Sequence, residues 1–195
     1  MSVPSPSPKP PVQPKGRGST RRADGVVKRL VLGAMLAAMS VVIGMFCKNF
    51  LNFGGGLLRI TFENLPIILA GMFLGPLTGG MVGIVSDLTS YLLSGQIYPP
   101  NLIVTLGACA SGVMSGLVSH VIVRRRGIPQ IILSASAAHL IGSLVIKTFG
   151  LYQFYGIAVL FRIPLYLLIA PVEILLLCIL LRRDSIQRLT GYRFD

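Results

Sequence analysis

The chain has 195 residues, of which 53% are apolar and only 12% charged, where a soluble domain carries roughly 25% charged residues. Its formal charge of +12 gathers at the ends of long apolar runs, the distribution of orientation signals in a membrane protein and not that of a nucleic-acid surface. Cys47, Cys109 and Cys178 each lie inside an apolar run with no CxxC or Cys/His spacing, which argues against a zinc site or a disulfide framework and makes them small buried hydrophobes.

Residues 1–26 are rich in Pro, Ser and basic side chains and offer almost nothing to bury, so they are expected to form a disordered cytoplasmic tail. The apolar region that follows starts too late and runs too long for a standard signal peptide. The first span is expected from Val27 to Cys47, roughly 20 residues or about 30 Å of helix. It carries two small-xxx-small faces, Gly33/Ala37 and Ala34/Ala38, of the kind that lets helices approach closely in lipid. Residues 48–58 form the first external loop, in which Gly54-Gly55-Gly56 permits a mobile lid.

Span two is expected from Arg59 to Leu74, with Pro66 at a helix start or kink. Gly75-Pro76 makes a tight uncharged turn into span three, Leu77 to Leu93, so the two should form an antiparallel hairpin. On span three Gly79, Gly80 and Gly83 invite close packing, and Asp87 and Tyr91 share a face. A loop with Tyr98 and two prolines leads to span four, Leu102 to Val123. Gly107, Ser111, Ser115 and Ser119 recur there at every fourth position, and Gly112 and Gly116 add a GxxxG; one side of this helix should be tightly packed. Arg124-Arg125-Arg126 closes it. Span five, Gln130 to Phe149, places His139, Ser143 and Lys147 one turn apart. A loop with Tyr152 and Tyr155 precedes span six, Ile157 to Leu181, where Arg162, Tyr166 and Glu173 share a face. The reading is an all-α polytopic membrane protein: a six-helix transmembrane domain over residues 27–182, with a second cytoplasmic tail at 183–195.

Six spans place both termini and the loops after spans two and four on one side. Every basic cluster falls on that side, in the N-terminal tail, at Arg124 to Arg126 and after Leu181, so the positive-inside rule makes both termini cytoplasmic. The charges that remain are then informative, because charge at membrane depth is costly and marks pathways or sites. Arg59, Glu63, Asp87, Lys147 and Arg162 converge near the outer side with Tyr91, under loops that carry Tyr98, Tyr152 and Tyr155. Such a set suits an anionic aromatic ligand: cations for its carboxylates, Asp87 or Glu63 for ring N–H groups, tyrosines for stacking. Each residue also has a plain structural role open to it. Arg59 and Glu63 can pair with each other, Lys147 can snorkel to the interface, and Arg162 and Asp87 can form an internal ion pair. His139 reads as a satisfied packing residue, His120 as an interfacial one, and Glu173 as locally paired or facing a partner.

There is no P-loop, HExxH, GxSxG or paired-carboxylate pattern, and no soluble portion large enough to hydrolyse ATP. The chain reads as a binding subunit and not an enzyme, with no cofactor and no metal.

The runs LRITFENLPIILAGMFLGPLTGGMVGIVSDLTSYLLSG and YPPNLIVTLGACASGVMSG, with HLIGSLVIKTFGLYQFYG and RIPLYLLIAPVE further on, resemble the substrate-binding S components of energy-coupling factor (ECF) vitamin transporters, most closely the folate-type members. The resemblance covers about Lys28 to Leu181. It implies a six-helix protein of a prokaryotic plasma membrane that binds a vitamin from outside. It also implies a transmembrane coupling subunit and two ATP-binding cassette ATPases as partners, which topple the S component in the membrane, with the Ala34/Ala38 face docking on the coupling subunit. A long Pro-rich N-terminal tail departs from the family pattern. Other vitamins (riboflavin, thiamine, a queuosine precursor) and a stand-alone proton-coupled carrier using Asp87 and Glu63 are the rival readings.

Overall fold

In a computed structural model, residues 17–53, 58–94, 101–123 and 127–183 are described; within them the side chains of 17–24, 52, 53, 58, 59, 154, 155, 161 and 162 are not. The described residues are all-helical apart from one two-residue ladder. Helix α1 spans Arg17–Phe50, β1 Asn52–Phe53, β2 Leu58–Arg59, α2 Asn64–Leu74, α3 Pro76–Leu93 and α4 Leu102–Leu117, which continues through a π turn, Val118–Ile122. Helix α5, Ile128–Ala137, runs on through a π-helical segment, Ala138–Lys147, into α6, Thr148–Tyr155. A 3₁₀ turn, Gly156–Phe161, then leads into α7, Arg162–Leu181. Among the described residues four continuous helical stretches are long and apolar enough to cross a membrane: Gly25–Phe50, Leu102–Ile122, Ile128–Gln153 and Gly156–Leu181. The apolar α2 is shorter.

Helix α1 starts at Arg17, well before Val27, and its 34 residues extend about 51 Å, beyond the roughly 30 Å of a hydrocarbon core. Its basic first turns therefore stand clear of any bilayer that the apolar part crosses. The second difference lies at span two. Asn52 pairs with Arg59 and Phe53 with Leu58, and Ile60 N donates to Leu51 O at 3.2 Å. Arg59 is therefore in a strand, α2 starts only at Asn64, and the helical i,i+4 relation expected between Arg59 and Glu63 does not exist.

The expected hairpin forms. Gly75 has φ +99° and ψ 171°, a conformation that is essentially glycine's alone and costs another residue about 1–3 kcal/mol, and Pro76 occupies the first turn of α3, where its missing N–H matters least. Helices α2, α3 and α4 then meet through backbone. A Cβ on Gly112 would strike the carbonyl of Gly79, one on Gly79 would fall 2.5 Å from Gly71 Cα, and one on Gly116 2.6 Å from Pro76 Cα. The serine row of span four faces the same interior and is satisfied on carbonyls of other helices: Ser115 Oγ donates to Ile68 O (3.1 Å), Ser119 Oγ to Met72 O (3.4 Å) and Ser111 Oγ to Ala138 O (3.3 Å). Side-chain hydroxyls on backbone carbonyls are how close-packed helices satisfy polar groups away from water. Around this seam lies the apolar core, drawn from Leu36 and Ala37 of α1, Ile67 to Leu69 of α2, Ile131 and Ala135 of α5, and Leu177 and Leu181 of α7.

Two amides fasten the ends of α4. Asn101 caps its N-terminus by accepting from Ile103 N (3.0 Å) and donates to Gly150 O (2.7 Å). Gln130 donates to Ser119 O (2.7 Å) and Val123 O (2.8 Å), filling carbonyls that the end of a helix leaves open.

Candidate functional site

The strand-to-helix junction at 59–64 delivers two polar side chains into the bundle instead of along its surface. Ser40 Oγ of α1 donates to Glu63 O at 2.7 Å, which anchors the junction to α1. Asn64, fully buried, donates through Nδ2 to Ser143 Oγ (3.2 Å) and accepts at Oδ1 from Lys147 Nζ (3.0 Å). Lys147 Nζ also lies 3.5 Å from Glu63 Oε1. Lys147 is only 4% exposed, so it does not snorkel; its head is held by a carboxylate and an amide from another helix.

Two glycines leave the room that these side chains occupy. A Cβ at Gly107 of α4 would fall 2.6 Å from Lys147 Cγ, and one at Gly44 of α1 would fall 2.9 Å from Glu63 Oε2. Opposite them Asp87 of α3 accepts from Thr105 Oγ1 of α4 at 2.6 Å. The result is a small cleft, lined by Ser40, Glu63, Ile67, Ser86, Asp87, Ser90, Ala108 and Lys147. It presents a cation, two carboxylates and three serines, with Ile67 and Ala108 as its apolar lining, a convergence of polar groups of the kind that fixes a ligand's orientation.

The structure thus brings together Glu63, Asp87 and Lys147 from three different elements. Tyr91, a turn above Asp87 on α3, is half-buried and does not line the cleft. The side chains of Arg59, Arg162 and Tyr155, and the whole of Tyr98 and of Gly54 to Gly56, lie outside the described residues. Lys48 serves another purpose: its Nζ donates to Ser90 O (3.1 Å) and Ser94 Oγ (2.8 Å), placing a cation on the carbonyl end of α3. Asn64, Ser40 and Thr105 escaped the sequence reading because it followed charge. The one signal for Asn64 was its position between Glu63 and the start of the apolar run.

The two small faces of α1 separate. Gly33 and Ala37 are buried, with Gly33 against Leu74, Thr78 and Val82, whereas Ala34 and Ala38 are exposed. Glu173 differs from expectation as well. It is fully buried, and its Oε2 lies 2.8 Å from Nε2 of His139, so it pairs across to span five and neither locally nor with an outside partner. His120 is exposed at the end of span four.

A helical bundle with apolar membrane-length rods around a charged cleft is the architecture of a membrane protein. Residues 28–186 match the sequence profile of the ECF transporter substrate-specific component, and the chain belongs to that family. Its fold is similar to that of FolT, solved as a crystal structure bound with folic acid, at a TM-score of 0.60 and 22% identity over 77% of this chain and 89% of that one. No curated protein matches the chain in sequence.

Proposed function

We propose that this chain is the vitamin-binding S component of an ECF-type importer and that its vitamin is folate. The cleft carries the reading. Lys147 is held between Glu63 and Asn64 and shares the cleft with Asp87, a pattern of acceptors and one cationic donor that complements the amino and amide groups of a pterin ring. The family membership and the likeness to a folate-bound FolT support the same ligand. The cleft as it stands has room for little more than a water molecule, far below the roughly 300–1,000 Å³ of typical ligand pockets, so entry of the ring would require the lining helices or side chains to part, with the glutamate portion in the mouth. Arg59 and Arg162 are assigned its carboxylates there, with Tyr91 bordering the ring.

In this reading six helical spans put both termini in the cytoplasm of a prokaryotic cell. Residues 1–26 and 183–195 are tails flanking the membrane domain 27–182. A transmembrane coupling subunit and two ATP-binding cassette ATPases are the partners, and the S component topples to release its load. The subunit binds and does not catalyse. Purified protein is expected to retain labelled folate at one molecule per chain, with unlabelled folate but not riboflavin or thiamine competing. Absence of retention at micromolar folate would overturn the vitamin assignment, and displacement by another vitamin would reassign it.

The exposed Ala34/Ala38 face supplies a separate test of the partner. A large charged side chain there lies outside the cleft and blocks close helix approach. Ala38→Arg is therefore expected to keep folate binding within about twofold while abolishing ATP-dependent uptake with the coupling module. Normal uptake by this variant would remove the face from the docking surface.

A further inference from the structure

Helix α7 packs on α5, on the π segment and on α2, and much of its length is open: Leu167, Leu168, Val172, Leu175, Leu176 and Ile179 are all exposed. Yet it carries into the interior a carboxylate with no exposure at all. Beyond the 2.8 Å contact between His139 Nε2 and Glu173 Oε2, neither head group has a hydrogen-bond partner among the described residues. Such a pair is a poor source of stability. Its desolvation offsets its attraction, and apolar residues of similar volume commonly hold a core as well or better. Its position is the better guide to its role.

His139 is the second residue of the π segment, and Lys147 is the last. A π register is rare, appears mostly as single turns and concentrates at functional sites. Here it persists over ten residues, and each of these inward polar side chains is tied to another part of the chain: His139 to Glu173 of α7, Ser143 and Lys147 both to Asn64, and Lys147 also to Glu63. Ser143 and Lys147 fix one end of the segment from α2 and the junction before it. The other end is fixed by Ser111 Oγ of α4 on the Ala138 carbonyl (3.3 Å) and by His139 on Glu173 of α7, and only the second of these uses a side chain of the segment.

We propose that Glu173 is a positioning residue: by holding His139 it fixes the register of the π segment and so sets Lys147 in the cleft. The effect on the vitamin rests on the cleft being the binding site; the effect on the segment does not.

The test uses full-length protein in lipid nanodiscs, with ligand-free amide hydrogen exchange and folate affinity as readouts. Glu173→Gln and His139→Gln are each expected to speed exchange across residues 138–148 at least fivefold while leaving α4 unchanged, and to weaken folate binding about tenfold. The apolar pair His139→Leu/Glu173→Met separates positioning from packing. It is expected to melt no lower than wild type and still to show fast exchange in the segment and weak binding. Wild-type exchange and affinity in the apolar pair would overturn the proposal, as would exchange that rises evenly over α5 and α7. Should the single variants not fold, the apolar pair decides alone. Should wild type itself fail to bind folate, the ligand assignment falls and the exchange readout still decides this inference.

Discussion

Lys147→Met is expected to lower folate affinity by one to two orders of magnitude and to lower the melting temperature. The substitution keeps most of the stem volume in the slot that Gly107 leaves and removes only the charged head. The affinity loss is that of a charge-assisted hydrogen bond to the ligand, about 1.5–3 kcal/mol, with about 1.4 kcal/mol to each tenfold; removing one member of a buried ion pair also costs about 3–5 kcal/mol of folding stability, chiefly because the other charge is left uncompensated. Glu63 is less enclosed than Lys147, at 17% against 4%, so part of that cost is relieved by water and the lower end of the range applies. Asn64 loses its donor as well and keeps only its bond to Ser143. Lys147→Met/Glu63→Gln separates the two contributions. Neutralising the stranded carboxylate should restore the melting temperature to within a few degrees of wild type while binding stays weak. Isothermal titration and thermal melts on the same preparations check both. Recovery of affinity in the double variant would mean that Lys147 serves Glu63 and not the ligand.

The sequence made the rods legible because lipid imposes a simple rule: apolar runs, with basic residues left at their ends. The hairpin at Gly75-Pro76 and the serine-glycine face of span four were equally readable, since both depend on residue size at fixed spacing. Partner choice among the charges was not readable. Arg59 and Glu63 look like a helical pair only if the helix begins at Arg59, and the short ladder with Asn52–Phe53 removes that premise. Glu63 lies against Lys147 of span five, a contact between residues 84 positions apart that no local pattern announces. Glu173 was misread for a related reason. Its neighbour His139 sits on a π segment, and counting by an α-helical period says nothing about where that register starts. On α1 the two small-residue faces are equivalent in sequence; only packing shows that α2 and α3 cover Gly33 and leave Ala34 and Ala38 open.

Gly112→Leu is expected to prevent accumulation of monodisperse protein, and Gly112→Ala to destabilise it by about 3 kcal/mol or more, at or beyond the upper end of ordinary overpacking. The cause is what the new Cβ would meet: the Gly79 carbonyl oxygen and carbon and the Gly80 nitrogen. A clash with the tip of a flexible side chain is relieved by a rotamer change, but a clash with backbone is relieved only by moving a helix. Separating α3 from α4 also disturbs α2, because Gly71 abuts Ser115 and the Gly112 carbonyl. The same three helices carry Glu63 and Asn64, Asp87, and Thr105, so the folded fraction of Gly112→Ala should bind folate at least tenfold more weakly although residue 112 touches no part of the cleft. Gly25→Ala is the control: nothing lies within 4 Å of its added Cβ, and Ala is the better helix former by about 1 kcal/mol. Thermal melts of the two variants side by side give the answer. A Gly112→Ala protein that melts with wild type would mean that the seam between α3 and α4 is looser than backbone contact, and the rigid floor of the cleft would go with it.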